Sequence, residues 1–293
     1  MNADGGRVGA MDRVDDVIEV PSPEAVARRA RAPMGTAARV ALGALGFGCF
    51  FASLELAAWR SGLSDASFPG AITIAKRTVL VFGDGAFRSA LLETLSSAAL
   101  GFAIACGIAI PAGVVLALSK HLFPAIQGVI ELLRPIPVVA LIPPALLVLG
   151  VGRTMKVSLI AYAVTWILLY NTMYAVRDVD ETLRSTAAVY RLGRLRTVTR
   201  VVLPAALPFI FTGVRIGVTA SFLVAVAVEL IAGGTNGLGQ WLFTYQDSGS
   251  QRDFVFAGAF VAGLVGLVLN FGLGALERRL FPWHAVGQTG RPA

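Results

Sequence analysis

Six apolar runs divide the chain, at about 37–59, 89–118, 125–150, 155–176, 207–232 and 254–276, with polar or mixed segments between them. A helix rises about 1.5 Å per residue and needs roughly 20 apolar residues to cross about 30 Å of hydrocarbon. The runs have that length, so the pattern predicts an all-α, polytopic membrane protein with about six transmembrane helices. In the second run, Gly101, Gly107 and Gly113 are small enough to let neighbouring helices approach closely. The third contains Pro135, Pro137, Pro143 and Pro144. Backbone groups freed by proline are tolerated at membrane depth only where protein or a water-filled path satisfies them. Residues 134–144 are therefore a candidate lining of a translocation path, with a packing kink as the competing reading.

The segments between the runs set the expected sidedness. Residues 1–35 are polar and read as a disordered cytoplasmic tail, too long before the first run for a cleaved signal peptide. The stretch around 70–82 mixes Ile72, Ile74, Val79 and Leu80 with Lys76 and Arg77, which suits a helix at the membrane interface. The loop between the fourth and fifth runs holds Arg177, Arg184, Arg191, Arg194, Arg196 and Arg200, and positive charge of this kind marks a cytoplasmic loop. Six crossings then bring both termini to the cytoplasm, in agreement with Arg278 and Arg279. The expected organisation is a tail at 1–35, a transmembrane domain at 36–280 with its inner loop at 177–206, and a cytoplasmic tail at 281–293.

Composition adds weight to the membrane reading. Of 293 residues 56% are hydrophobic and only 15% charged, too little charge to solvate a soluble domain of this size. The net charge of +7 is spread over membrane-flanking segments and accompanies no recognition motif, so no nucleic-acid partner is expected. Cys49 and Cys106 sit singly in apolar runs, and His121 and His284 stand far apart without carboxylate or thiol neighbours. No metal site, disulfide framework or cofactor is expected from them.

Charged residues within or near the runs need partners, because one at a helix centre costs about 2.5–3.5 kcal/mol. Glu131 and Arg134 are one turn apart and predict a local pair, and Arg215 lies near the inner start of its run, where it can snorkel. Glu229 stands near the outer end of the fifth run, just before Gly233, Gly234, Gly237 and Gly239. It is expected to hydrogen-bond that loop, either as part of an outer gate or as a simple anchor. Arg134, Pro135, Pro137, Tyr170, Asn171 and Glu229 are the candidate path or gate residues.

The basic inner loop carries the most information. Its first half, through Ser185, Thr186, Ala187, Ala188, Tyr190, Arg191 and Leu192, favours a short amphipathic helix with Leu183, Ala187, Tyr190 and Leu195 on its apolar side. Gly193 is placed to end that helix, and Pro204 and Pro208 to restart the chain toward the membrane. Such a helix is a handle for a partner protein.

Leu203-Pro204-Ala-Ala-Leu-Pro208, Thr212-Gly213-Val-Arg215, Leu133-Arg-Pro-Ile-Pro137, Gly150-Val-Gly152 with Lys156, Val228-Glu229 and Gly237-Leu-Gly239 together resemble one family. It is the permeases of ATP-binding-cassette importers of the nitrate/sulfonate/bicarbonate/taurine type, and the resemblance covers about 88–276. The family's inner-loop signature is a Glu-Ala-Ala segment, a Gly and a later Leu-Pro. Counted back from Pro204, the Gly falls at Arg191 and the Glu at Ser185; aligned on Gly193, the Glu falls at Ala187. Neither register restores the Glu. The resemblance implies coupling through Ser185–Arg194 and Pro204 to cytoplasmic ABC ATPase subunits, delivery by an extracytoplasmic solute-binding protein, and a second permease subunit, a homodimer being the simplest pairing. It implies a bacterial inner membrane location and a small organic or inorganic anion as cargo.

No Gly-x-x-x-x-Gly-Lys-Ser/Thr phosphate loop occurs in the chain, so hydrolysis is expected on a separate ATPase and this subunit is not expected to be an enzyme. The alternative is an ion-coupled secondary carrier, which needs titratable groups near the midplane. An intramembrane enzyme would need a nucleophile and base or a metal motif such as His-Glu-x-x-His, which the sequence does not contain.

Overall fold

The computed structural model describes residues 36–61, 69–247 and 252–282, and every regular element among them is helical. These are α1 (Thr36–Ser61), α2 (Ala71–Gly83), α3 (Gly85–Leu118), α4 (Leu122–Leu133), α5 (Ile142–Leu149), α6 (Arg153–Arg177), α7 (Glu181–Val189), α8 (Arg194–Thr197), α9 (Leu203–Ala232), α10 (Leu238–Asp247) and α11 (Arg252–Leu280). The tails expected at 1–35 and beyond 282 lie outside the described residues. The chain falls into a unit ending at Leu54 and another from Glu55 onward. The first holds most of α1, within which Val40–Arg60 is long and apolar enough to cross a membrane.

In the second unit, α3 and α6 lie side by side and run in the same direction. Gly101 of α3 meets Ile160 and Gly113 meets Thr172, so both contacts advance together along the two helices. A Cβ on Gly101 would fall 2.6 Å from Ile160 Cγ2, and one on Gly113 would fall 2.8 Å from Thr172 Cβ. Ser97, Gly101, Ala105, Ala109, Gly113 and Ala117 are buried at every fourth position, a stripe of small residues that admits the second backbone. Gly107 lies off this stripe, with open space where its Cβ would be, so it takes no part in the contact expected of it.

Parallel neighbours dictate what joins them. The chain leaves α3 beside the end of α6, where Phe123 packs on Tyr174 and Arg177 lies over the Phe123 ring at 3.8 Å. It must enter α6 at the other end, where Ile142 packs with Met155 and Leu159. The segment between therefore crosses the same layer, but as two helical pieces, Leu122–Leu133 and Val138–Leu149, bent by 79°. Among the described residues five helices are long and apolar enough to cross a membrane, and this bent pair, taken as one broken span, brings the candidates to six. The bend falls at Pro135 and Pro137, where missing amides end the helix. Pro143 and Pro144 do not break anything: they occupy the first turn of α5, where amides have no helical acceptor.

Helix α9 packs antiparallel against both, with Gly217 beside Phe102 and Val164, and Gly213 beside Asn171. Arg215 does more than snorkel: it pairs at 3.1 Å with Glu277 of α11, which also accepts from Thr212. Opposite this end, α2 joins α11 through the Arg77–Asp253 ion pair, and Arg77 stacks on Phe254.

Candidate functional site

One end of the bundle presents the loop after α6. Asp180 caps α7 by accepting from the Thr182 N–H at 2.8 Å, and that backbone bond, with the Thr182 side chain, holds the Asp180 carboxyl below its usual range. Arg184 reaches back to the Val176 carbonyl at 2.6 Å and fixes α7 to the end of α6. The helix stops at Val189, earlier than Gly193 had promised. Arg191 N–H donates to Ala188 O at 2.9 Å and Leu192 N–H to Ala187 O at 3.0 Å. These two bonds are a Schellman cap, which requires a left-handed residue at Arg191, and its φ is +52°. Gly193 is extended and precedes α8. A glycine would fit the left-handed conformation at Arg191, the position counted back from Pro204.

Ser185, Thr186, Ala188, Tyr190 and Arg194 are exposed, Leu192 is half-buried, and Ala187 is buried. The apolar side expected of this helix is therefore split. Ala187 packs inward, while Val189, Tyr190 and Leu195 stand out at 81%, 76% and 77% exposure. Beside them a groove of about 850 Å³ is lined by Leu118, His121, Arg184, Ala188, Leu192 and Val198. Pro204 and Pro208 do not restart the chain, because Arg194–Ala232 is one run of helix. A wide π turn at Val198–Val202 precedes Pro204 and relieves the clash its ring would make one turn back.

At the bend, Arg134 does not pair with Glu131. Its guanidinium lies over the Tyr170 ring at 4.4 Å, and Glu131 accepts from Gln127 at 2.8 Å. Pro135 and Pro137 are exposed next to it. Asn171 donates to Ile167 O within its own helix and turns its Cβ toward Gly213 of α9.

The opposite end holds a buried polar cluster centred on Glu229. Its Oε1 accepts from Lys156 Nζ at 2.8 Å, and its Oε2 accepts from Thr94 Oγ1 at 2.8 Å and from the Gly239 N–H at 3.0 Å. Thr94 Oγ1 in turn accepts from the Leu238 N–H at 2.8 Å, and Lys156 donates to Asn236 O at 2.9 Å. One carboxylate thus joins α3, α6 and α9 to the turn before α10. Glu229 and Lys156 are 0% and 1% exposed, so the pair depends on the hydrogen bonds that both charged groups make. Glu93 extends the cluster outward, 3.6 Å from Lys156 and 3.8 Å from Arg153. A cavity of about 660 Å³ beside it is lined by Ser89, Glu93, Ser96, Asn236, Gln240 and Trp241.

The turn seats against Glu229 because residues 237 and 239 lack side chains. A Cβ on Gly237 would collide with the Glu229 carboxyl, and one on Gly239 with Val226 O and Glu229 Cβ. The expected bond between Glu229 and this loop is present. Sequence reasoning gives Lys156 no role beside Glu229 and does not single out Thr94, although a lone lysine just inside an apolar run is a signal that a buried carboxylate must answer. No group of three metal-ligating side chains occurs among the described residues.

Residues 109–282 match the family model described as binding-protein-dependent transport system inner membrane component. The chain is 35% identical over 205 residues to the taurine transport system permease protein TauC of Escherichia coli (strain K12), covering 69% of this chain and 73% of that protein. It is 31% identical over 192 residues to the nitrate import permease protein NrtB of Leptolyngbya laminosa, covering 66% and 68%. It is also 31% identical to a bicarbonate transport system permease protein, CmpB, of Synechococcus elongatus over 187 residues, covering 64% and 67%. Among solved structures, a chain of the inward-facing MetNI methionine ABC transporter superposes with a TM-score of 0.58 at 17% identity, over 65% of this chain and 94% of that one, a likeness of fold.

Proposed function

Because the chain belongs to the binding-protein-dependent transport system inner membrane component family, and is thus an ABC importer permease subunit of the inner membrane, we propose that it passes a small anion such as a sulfonate, taurine or nitrate. The observation that carries the coupling part of this reading is α7, clamped to the end of α6 with its apolar tip in the open. In this reading the face bearing Arg177, Arg184, Arg191, Arg194, Arg196 and Arg200 is cytoplasmic, as its charge favours, and both termini lie there. A separate ATPase grips the loop 177–206, a solute-binding protein meets the opposite face, and a second permease subunit completes the path. The whole of 36–280 is the permease domain.

Glu229 then has a gating role. It pins the outer turn to α6, whose other end carries α7, so movement of α7 reaches the outer turn through one straight helix of about 1.5 Å per residue. Arg134 and Tyr170, stacked at the break between α4 and α5, mark the candidate path lining. An ion-coupled carrier is the weaker reading, since the family match is to an importer component.

The test is co-purification in mild detergent with any ATPase encoded beside this gene, repeated with residues 184–196 altered. A complex lost on alteration supports coupling through α7. An unaltered chain that retains no ATPase, but takes up solute on an ion gradient, would favour the carrier.

A further inference from the structure

Arg191 is the only non-glycine residue with positive φ among the described residues. A side chain there crowds its own backbone, and glycine or asparagine serves such a cap without that penalty. The two cap hydrogen bonds use backbone atoms alone. The Arg191 side chain is exposed and meets no acceptor or ring among the described residues, so it returns nothing to the fold. Strain retained without a structural return points to a use outside the chain.

The surroundings show what kind of use. Val189, Tyr190 and Leu195 form an exposed apolar tip, and Arg191, Arg194 and Arg196 stand exposed around it. The nearby carboxylates, Asp178, Asp180 and Glu181, lie at the other end of α7. The tip is therefore apolar at its centre and positive at its rim, the complement of an apolar socket bordered by acidic groups. Anionic lipid headgroups fit less well. Arg194 and Arg196 would serve them from relaxed backbone, and lipid has no fixed geometry that demands a charge at residue 191.

We propose that Arg191 is a specificity residue for the partner ATPase: its guanidinium meets a carboxylate at the rim of a socket that receives Val189, Tyr190 and Leu195. The proposal rests on the coupling reading above. It deepens that reading by naming the charge the partner must present.

The permease is co-expressed with any ABC ATPase encoded beside its gene, and complex affinity is measured in lipid-free detergent with Arg191→Gly and Arg191→Asn. Both residues suit the left-handed conformation, so the cap persists and the permease's thermal midpoint holds or rises. The expected result is a fall in affinity of about tenfold with a weaker dependence on salt. If the glycine variant does not assemble, the asparagine variant decides on the same readout. Unchanged affinity overturns the proposal and leaves Arg191 as a tolerated cap. A loss seen only in phosphatidylglycerol vesicles, and absent in detergent, overturns it in favour of lipid. A wild-type chain that binds no ATPase sinks the coupling reading itself, and the variants then have nothing to lose.

Discussion

Replacing Glu229 by Gln alters one atom and leaves the volume unchanged, which makes it a clean test of the buried pin. The carboxylate receives Lys156 on one oxygen, and Thr94 and the Gly239 N–H on the other. Glutamine offers one acceptor oxygen and a donating nitrogen. With the oxygen toward Lys156, the nitrogen faces the Gly239 N–H, which is left without an acceptor; Thr94 can turn to Ala90 O, 3.1 Å away. With the amide flipped, the nitrogen faces the Lys156 ammonium instead. An orphaned buried donor costs about 1–3 kcal/mol, and an ammonium deprived of its counter-charge raises the total to about 3–5 kcal/mol. Glu93, at 3.6 Å from Lys156, offsets part of this, so the lower end is expected. In detergent the apparent thermal midpoint should fall by roughly 10 °C, and a cysteine at 236 should label faster as the turn loosens. Uptake in reconstituted vesicles should fall with it. A midpoint within about 2 °C of the parent, with normal uptake, would refute the idea that three converging donors require a carboxylate.

Other outcomes follow from the same geometry. Gly101→Ala sets a methyl 2.6 Å from Ile160 Cγ2 and 3.1 Å from Val157 O, and turning Ile160 does not clear the carbonyl. It should destabilise by about 1–3 kcal/mol, whereas Gly107→Ala, with open space around it, should be near neutral in the same thermal assay. Gly239→Ala, which meets Val226 O, should unseat the turn and reproduce the labelling of Glu229→Gln. Asp180 titrates below its usual range, so its cap is complete above that range and is lost only as pH falls through the lowered value. Amide exchange at Thr182 should speed up in strong acid, and Asp180→Asn, which caps without titrating, should flatten that dependence.

The five or six candidate spans were legible because hydrophobic length follows from bilayer thickness, and Glu229 was legible because a carboxylate beside a glycine-rich turn has few other uses. What escaped was set by helix-to-helix register. The small residues of α3 repeat at every fourth position, yet which of the neighbouring helices fills that groove depends on chain direction, and α6 supplies the answer through Ile160 and Thr172. Arg134 had a carboxylate one turn away and chose the Tyr170 face, because the break at Pro135 turns it toward α6. Gly193 seemed the natural helix end, but the cap's hydrogen bonds place the left-handed residue two positions earlier. A propensity argument favours the glycine it can see over the arginine that the cap's backbone hydrogen bonds hold in the left-handed conformation.

The parallel pairing of α3 with α6 also imposes a schedule on synthesis. The residues that fill the α3 groove are made roughly 60 positions after it, several seconds at about 5–20 residues per second. Through that interval the small residues at every fourth position have only lipid or a transient neighbour against them, and the bent connection has no α6 to brace its broken turn. The chain must insert its least self-sufficient segment before the helix that steadies it. A ribosome pause placed between residues 118 and 177 should therefore change the yield of mature protein while leaving the finished fold unchanged.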